Sequence, residues 1–279
     1  MDISFIISHY DDGNNLKYIK SFVRTIESIH EQKETYDIEI IIADDGSSNS
    51  GELQNIANDS YIISDKKKIY HLFGNRLSHW LSNTDFYFPE ISNWLYLPKD
   101  KPCMYKARLG NVAVSIAKSE NIFILDDDNV FITQNSIRTS LKLLQKFDLV
   151  IGQIKDKNGH LRPYSSHRVQ GTTIGLKKTI IEQIGGFGEW TENVSSGVDS
   201  DLWWKLFHHF KKYPELKACY TSKIQTLDSC SKRWKLFSRK FFHHSAVANE
   251  FHKKYKCKNY RSMKHNPSRN KILWIEDLT

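Results

Sequence analysis

The sequence predicts an α/β fold with a mainly parallel central sheet flanked by helices and followed by a basic helical extension. Three observations carry this. Short apolar runs rich in β-formers, at 3–7, 38–43 and 122–125, each open into polar clusters, SHYDD, DDGSS and DDDN. Between the first two, Leu16, Ile19, Phe22, Val23, Ile26 and Ile29 recur at helical spacing. The charge excess comes late, with basic residues far outnumbering acidic ones over 232–264. Strand, helix, strand in this rhythm marks βαβ units, whose ligands sit beyond the carboxyl ends of the strands.

Taken in order, the first strand ends in the polar turn from Ser8 to Gly13, and the second breaks at Asp44, Asp45 and Gly46 before a helical segment over 50–58. From 61 to 106 the pattern loosens and aromatics gather, Trp80, Phe86, Tyr87, Phe88, Trp94 and Tyr96, with Pro89, Pro98 and Pro102 among them. Such rings either stack on sugar faces or pack. A helix over 107–119 leads into the run 122–130, IFILDDDNV; a second amphipathic helix follows over 136–147, then a strand over 149–154 and a hairpin turn over 156–159. A strand over 172–176 precedes a helix over 178–184, which the Gly185-Gly186 pair ends. From 232 to 255, Trp234, Phe237, Phe241, Ala248, Phe251 and Tyr255 recur at roughly helical spacing among many Lys and Arg. This reads as basic amphipathic helices, which either lie on an anionic membrane or pack their aromatic face on the preceding domain. The remaining tail is read as irregular until 272–274.

Composition bounds the class. A chain of 279 residues, 39% hydrophobic and 26% charged, fits a soluble globular protein of one large domain or two small ones. Met1 leads straight into ISFII and no apolar run approaches the roughly 18 residues that span a bilayer, so neither signal peptide nor transmembrane helix is expected. Cys103, Cys219, Cys230 and Cys257 are widely spaced with no C-x-x-C pair, which argues for free thiols in a reducing cytoplasm rather than a zinc site or disulfides. The net charge of +8 suits an anionic partner, phosphate-bearing lipid or nucleic acid, or simply a solvated basic helix.

Chemistry centres on Asp126, Asp127 and Asp128. Three adjacent carboxylates repel, and a fold that gathers them beside an apolar strand needs a compensating cation. Mg²⁺ or Mn²⁺ supplies one, taking oxygen from one or two carboxylates plus substrate phosphates. In extended chain Asp126 and Asp128 point to one side, which makes them the candidate metal ligands, while Asp127 faces the other way. A solvated acidic loop is the alternative.

Four motifs in order, ISFIISHYDD, IEIIIADDGSSN, ARLGNVAVSIAKSENIFILDDDN and IGGFGEWTENVSSGVDSDLWWKL, make roughly the first three quarters of the chain resemble the family 2 inverting glycosyltransferases of the GT-A fold. No Gly-rich phosphate loop accompanies them. The resemblance implies a GT-A domain over 1–228, with a nucleotide-binding half at 1–130 and an acceptor-binding half at 131–228, and a basic helical extension over 229–279. It also implies roles. Tyr10, preceded by Ser8, would stack on the base of a nucleotide-sugar donor; Asp45 would hydrogen-bond the nucleoside, unless it and Asp44 only form a turn. Arg108 would lie near the diphosphate, with Leu109 where Asn is commoner in the family. Asp126, Asp127 and Asp128 correspond to the D-x-D motif, Asp128 as metal ligand and Asp127 on the ribose or a water. Asp199 takes the position of the general base, with Asp201 as fallback and Val198 in place of the family's Glu. Glu189 and Trp190 would contact the acceptor or the donor sugar, and Asp228, His243 or His244 would be a third metal ligand.

The activity so implied is transfer of a sugar, most naturally from a UDP-sugar, to a hydroxyl of a glycan or lipid-linked glycan in surface polysaccharide biosynthesis. The enzyme would be metal-dependent and cytoplasmic, with the basic helices able to hold it at the inner face of the membrane, and nucleic acid is not expected as a partner. Two other classes fit less of the sequence: a nucleotidyltransferase, which would want a Gly- and Arg-rich phosphate loop near the N-terminus, and a non-enzymatic polyanion-binding module.

Overall fold

The computed structural model describes residues 1–64, 67–99, 103–162, 170–230, 237–257 and 275–279, with the backbone alone for Ser64 and for 237–244. The first apolar run forms β1 (Ile3–His9), and the helical spacing after it becomes α1 (Leu16–His30), whose N-cap Asn15 accepts a hydrogen bond from the Lys17 amide. Next come β2 (Ile38–Asp44), a 3₁₀ turn at Ser48–Ser50, and α2 (Leu53–Ile56). The aromatic stretch supplies β3 (Asp59–Ser64), β4 (Lys67–Phe73), α3 (Gly74–Ser82) and β5 (Asn93–Tyr96). Then follow α4 (Lys106–Ile116), β6 (Asn121–Asp126), β7 (Asn129–Phe131), α5 (Ser136–Leu144) and β8 (Leu149–Asp156). The chain continues through β9 (Ile174–Lys177), α6 (Lys178–Gln183), a 3₁₀ segment at Glu189–Val194, α7 (Val198–Lys212), β10 (Ala218–Asp228), α8 (Phe237–Tyr255) and β11 (Ile275–Asp277). The tail read as irregular until 272–274 lies outside the described residues over 258–274.

Among the described residues, eleven strands join one sheet in the order β11-β10-β8-β9-β6-β1-β2-β5-β4-β3, with β7 added on β10. β1, β2, β5 and β6 run parallel, as do β8, β10 and β11. β9 is reversed between β6 and β8, and β3 and β4 form an antiparallel edge. Alternate strand residues feed two cores, because side chains of a strand point to opposite faces. One core takes its helical side from α4, α6 and α7, the other from α1, α3 and α5. The aromatics of the loosened stretch pack: Trp80, Trp94 and Tyr96 are buried, with Trp80 and Trp94 rings 4.9 Å apart, while Tyr87 is exposed.

The basic C-terminal helix packs too. Phe251 and Val247 of α8 are buried, and Phe251 and Tyr255 meet Trp190 and Trp204 in an aromatic cluster against Glu189–Val194 and α7. Among the described side chains of α8, Phe251 and Tyr255 therefore lie against the protein. Among the described residues no helix is long and apolar enough to cross a membrane.

Candidate active site

Parallel pairing fixes the register of three strand ends. Ser8 lies opposite Asp126 and His9 opposite Asp44, so the polar residues that follow β1, β2 and β6 meet at one edge of the sheet. Backbone hydrogen bonds tie them further: the Asp127 amide donates to Ser8 carbonyl at 3.1 Å and the Asp45 amide to His9 carbonyl at 2.9 Å.

The acids of this edge divide by what they hold. Asp44 is buried in the frame, accepting from the Ser47 amide at 2.8 Å and the Trp94 indole at 3.1 Å. Asp45 instead holds the loop ahead of α4: its Oδ1 accepts from the Tyr105 amide at 3.1 Å and its Oδ2 pairs with Lys99 Nζ at 3.0 Å. Burial pushes its carboxyl up to about 6 against the pull of Lys99. The same Lys99 ammonium lies 4.2 Å from the centre of the Tyr10 ring, which is 41% exposed. Asp127 turns back onto β1, where its Oδ2 takes the Tyr10 amide at 3.1 Å and His9 Nδ1 at 2.9 Å.

Asp126 carries a different load. Its Oδ1 accepts from Lys106 Nζ at 2.6 Å, and its amide donates to Thr172 Oγ1 at 2.9 Å. Burial raises the Asp126 carboxyl above the ordinary range, Lys106 lowers it, and the nearby charges of Asp199 and Asp127 raise it again. Burial opposes charge on Lys106, but the attraction of Asp126 and then Asp199 outweighs it, so the ammonium is held more firmly than usual. Asp199, in the first turn of α7, is thus within electrostatic reach of the acids after β6. It rests on Gly171, where a Cβ would overlap its carboxylate. Thr173, between this glycine and β9, has φ of 60°, a left-handed conformation unusual for a β-branched residue and a mark of local strain at a site.

Asp201 is fully buried and structural. It receives the Trp190 indole N–H at 2.6 Å and the Tyr255 hydroxyl, and Lys205 pairs with it at 2.9 Å. Asp199, by contrast, lies against the Gly171 backbone ahead of β9. Trp190 is committed to Asp201 and the aromatic cluster, and Glu189 to Arg108 at 3.0 Å and Asn111 at 3.1 Å. Arg108 grips Glu192 through Nε at 2.9 Å and Nη2 at 3.1 Å, so its guanidinium is taken up by the 3₁₀ segment. Lys106, two residues earlier, is the cation that reaches Asp126, and sequence reasoning missed it together with Lys99, Gly171 and Thr172. Lys106 did leave a signal: a cation in the first turn of a helix opposes the helix dipole and calls for a carboxylate partner.

At the end of β10, Asp228 pairs in register with Asn129, and the Ser229 amide donates to Asp128 carbonyl at 2.8 Å. Arg162 engages Asp228 and Asp156. The side chains of His243 and His244 lie outside the described residues.

No protein-family model matches the sequence, and no curated protein matches it. Solved structures do. The mannosyltransferase PcManGT from Pyrobaculum calidifontis, in complex with GDP-Man and Mn²⁺, superposes over 92% of this chain and 64% of its own at 12% identity, with a TM-score of 0.53. The chain has a GT-A fold. S. aureus TarS 1-349 matches over 90% of this chain and 66% of its own, at 14% identity and a TM-score of 0.49. The GT-A chain therefore spans about two thirds of the length of these structures, or less.

The donor set suits a hard divalent ion. The edge carries buried and half-buried carboxylates in excess of the single ammonium that offsets Asp126. Among the described residues no three Asp, Glu, His or Cys side chains converge to hold an ion unaided.

Proposed function

We propose that this chain is a metal-dependent inverting glycosyltransferase of the family 2 type. It would move a sugar from a nucleotide donor, UDP-linked by preference, to a hydroxyl of a glycan or lipid-linked glycan. Surface polysaccharide assembly at the cytoplasmic side of a membrane is its setting on this reading. What supports it most is that the Asp199 carboxylate lies against Gly171, one residue before the Thr172 hydroxyl that holds the Asp126 amide, while Asp126 carries the Lys106 ammonium.

The residues divide the work as follows. Tyr10 stacks the base, with Ser8 beneath it, and Asp45 accepts a base N–H. Asp127, locked to His9, supports the ribose side of the pocket. Asp128, with Asp126, would hold Mn²⁺ or Mg²⁺, which supplies positive charge opposite the departing nucleoside diphosphate. Lys106 pairs with Asp126 and adds a second positive charge to that side. Asp199 takes the proton of the attacking hydroxyl as the new glycosidic bond forms, and single displacement inverts the anomeric centre. Glu189 and Trp190 shape the acceptor side, and Arg108 holds the segment that carries them. On this division residues 1–130 bind the donor, 131–228 the acceptor, and 229–279 form the extension.

A thermal-shift panel of nucleotides and nucleotide sugars, with Mn²⁺ or with EDTA, tests the donor site, because a ligand of the folded state raises Tm by mass action. A metal-dependent rise, followed by UDP release from the best donor and an inverted product anomer by NMR, is expected. Stabilisation by polyanions alone would replace the transferase reading with a binding module.

A further inference from the structure

Lys99 stands in an unusual place. Its ammonium is over the face of Tyr10 and, in the same pose, 3.0 Å from Asp45 Oδ2. The pair is mostly shielded, with side-chain exposures of 17% for Lys99 and 9% for Asp45. The Tyr105 amide fixes the other oxygen of Asp45, and Gly46, at φ of 75°, leaves the room that the Lys99 stem fills, since a Cβ there would touch its Cγ. An acceptor fixed by a backbone amide and a donor lying over the Tyr10 ring are thus side by side.

A flat ring stacked on Tyr10 meets that pair with its hydrogen-bonding edge. The matching edge has an N–H next to a C=O: uracil offers N3–H beside a carbonyl, and guanine N1–H beside O6. Cytosine and adenine present a ring nitrogen acceptor to the carboxylate and an amino donor to the ammonium, so both contacts turn repulsive.

We propose that Lys99 is a specificity-determining residue which, with Asp45, selects keto bases, uracil or guanine, and rejects cytosine and adenine. This deepens the reading of the crevice as a nucleotide-sugar site and rests on it. On binding, Lys99 Nζ leaves the ring face to the base and donates to its carbonyl. Asp45 exchanges the ammonium for the base N–H. A mismatched base strands a buried charge on each side, a penalty that exceeds the value of the lost bonds.

Equilibrium titration of the full chain with UDP, GDP, CDP and ADP in the presence of Mn²⁺ tests this. UDP or GDP should bind at least about tenfold more tightly than CDP and ADP. Lys99→Met should shrink that gap, weakening UDP and GDP about tenfold while leaving CDP and ADP nearly unchanged, and Lys99→Arg should keep most of the preference. Melting curves establish that each variant folds. Equal weakening of all four nucleotides by Lys99→Met would make Lys99 a phosphate contact, and tightening of all four would make it a plug; either overturns the proposal. Tightest wild-type binding to CDP or ADP also overturns it, while leaving the nucleotide-sugar reading in place. Binding of none of the four removes that reading and the proposal together.

Discussion

Asp45 is held ionised where the fold would prefer it neutral, and removing that charge should stabilise the protein. Moving a carboxyl from 3.8 to about 6 corresponds to roughly 3 kcal/mol, at about 1.4 kcal/mol per pH unit. The folded state binds the proton more tightly than the unfolded chain. The favourable contribution is therefore fully present below pH 3.8 and is lost as pH rises through about 6. Asp45→Asn keeps an oxygen for the Tyr105 amide and gives up the Lys99 pair, whose attraction is already outweighed by burial. The variant should exceed wild type by about 1–3 kcal/mol near pH 8, or roughly 2–10 °C in Tm. Its advantage should contract on acidification to about pH 4.5, where wild-type Asp45 is largely protonated. Paired melting curves at the two pH values measure this, since the other titrating groups cancel in the difference. A variant destabilised equally at both would refute the reasoning, because the charge on Asp45 would then carry no net cost. UDP affinity should fall in the same variant, so that stability and function move in opposite directions.

The catalytic assignments make sharper demands. Asp199→Asn and Asp128→Asn should each reduce turnover at least about a hundredfold with melting points within a few degrees of wild type; substantial retained turnover in either removes the assigned role. Gly171→Ala should act like a weak Asp199 variant, since the added methyl displaces that carboxylate; expected is about a hundredfold loss of kcat with nucleotide affinity unchanged by titration. Phe251→Ala should cost about 3–4 kcal/mol in denaturant unfolding, because the ring is fully buried between α7 and the 3₁₀ segment. A loss below about 1 kcal/mol would mean that α8 is only loosely seated.

The parallel core was legible because its signals are local. An apolar run rich in β-formers that opens into a polar cluster, such as 122–125, reads as a buried strand, and the α1 spacing is unambiguous over four turns. The stretch 61–106 was not, because β3 and β4 lie at a sheet edge with one face open, so their half-polar sequence lacks a clean period. The three adjacent aspartates announced the site, yet their division of labour depends on neighbours far away in the chain. Asp127 is claimed by His9, Asp126 by Lys106, and Asp128 accepts from the Asn129 side-chain amide at 2.8 Å. Arg108 and Lys106 look alike in sequence; only the turn of α4 and the position of Glu192 send one to each partner. The basic aromatic tail fitted a membrane or the protein equally well, and burial of Phe251 and Val247 decides for the protein along the described part of α8.

The reversed strand β9 has a consequence for how such a chain can vary. Its neighbours deliver side chains to the crevice as they finish, so the residues after them are the ones under chemical constraint. β9 runs the other way, and its approach, Gln170 to Thr173, is what touches Asp126 and Asp199. A length change just ahead of Gln170 would reach the proposed catalytic groups, whereas one after Lys177 falls at the opposite end of the strands, beside Asn121. Along this one segment, the usual rule for finding catalytic residues in parallel sheets has to be applied backwards.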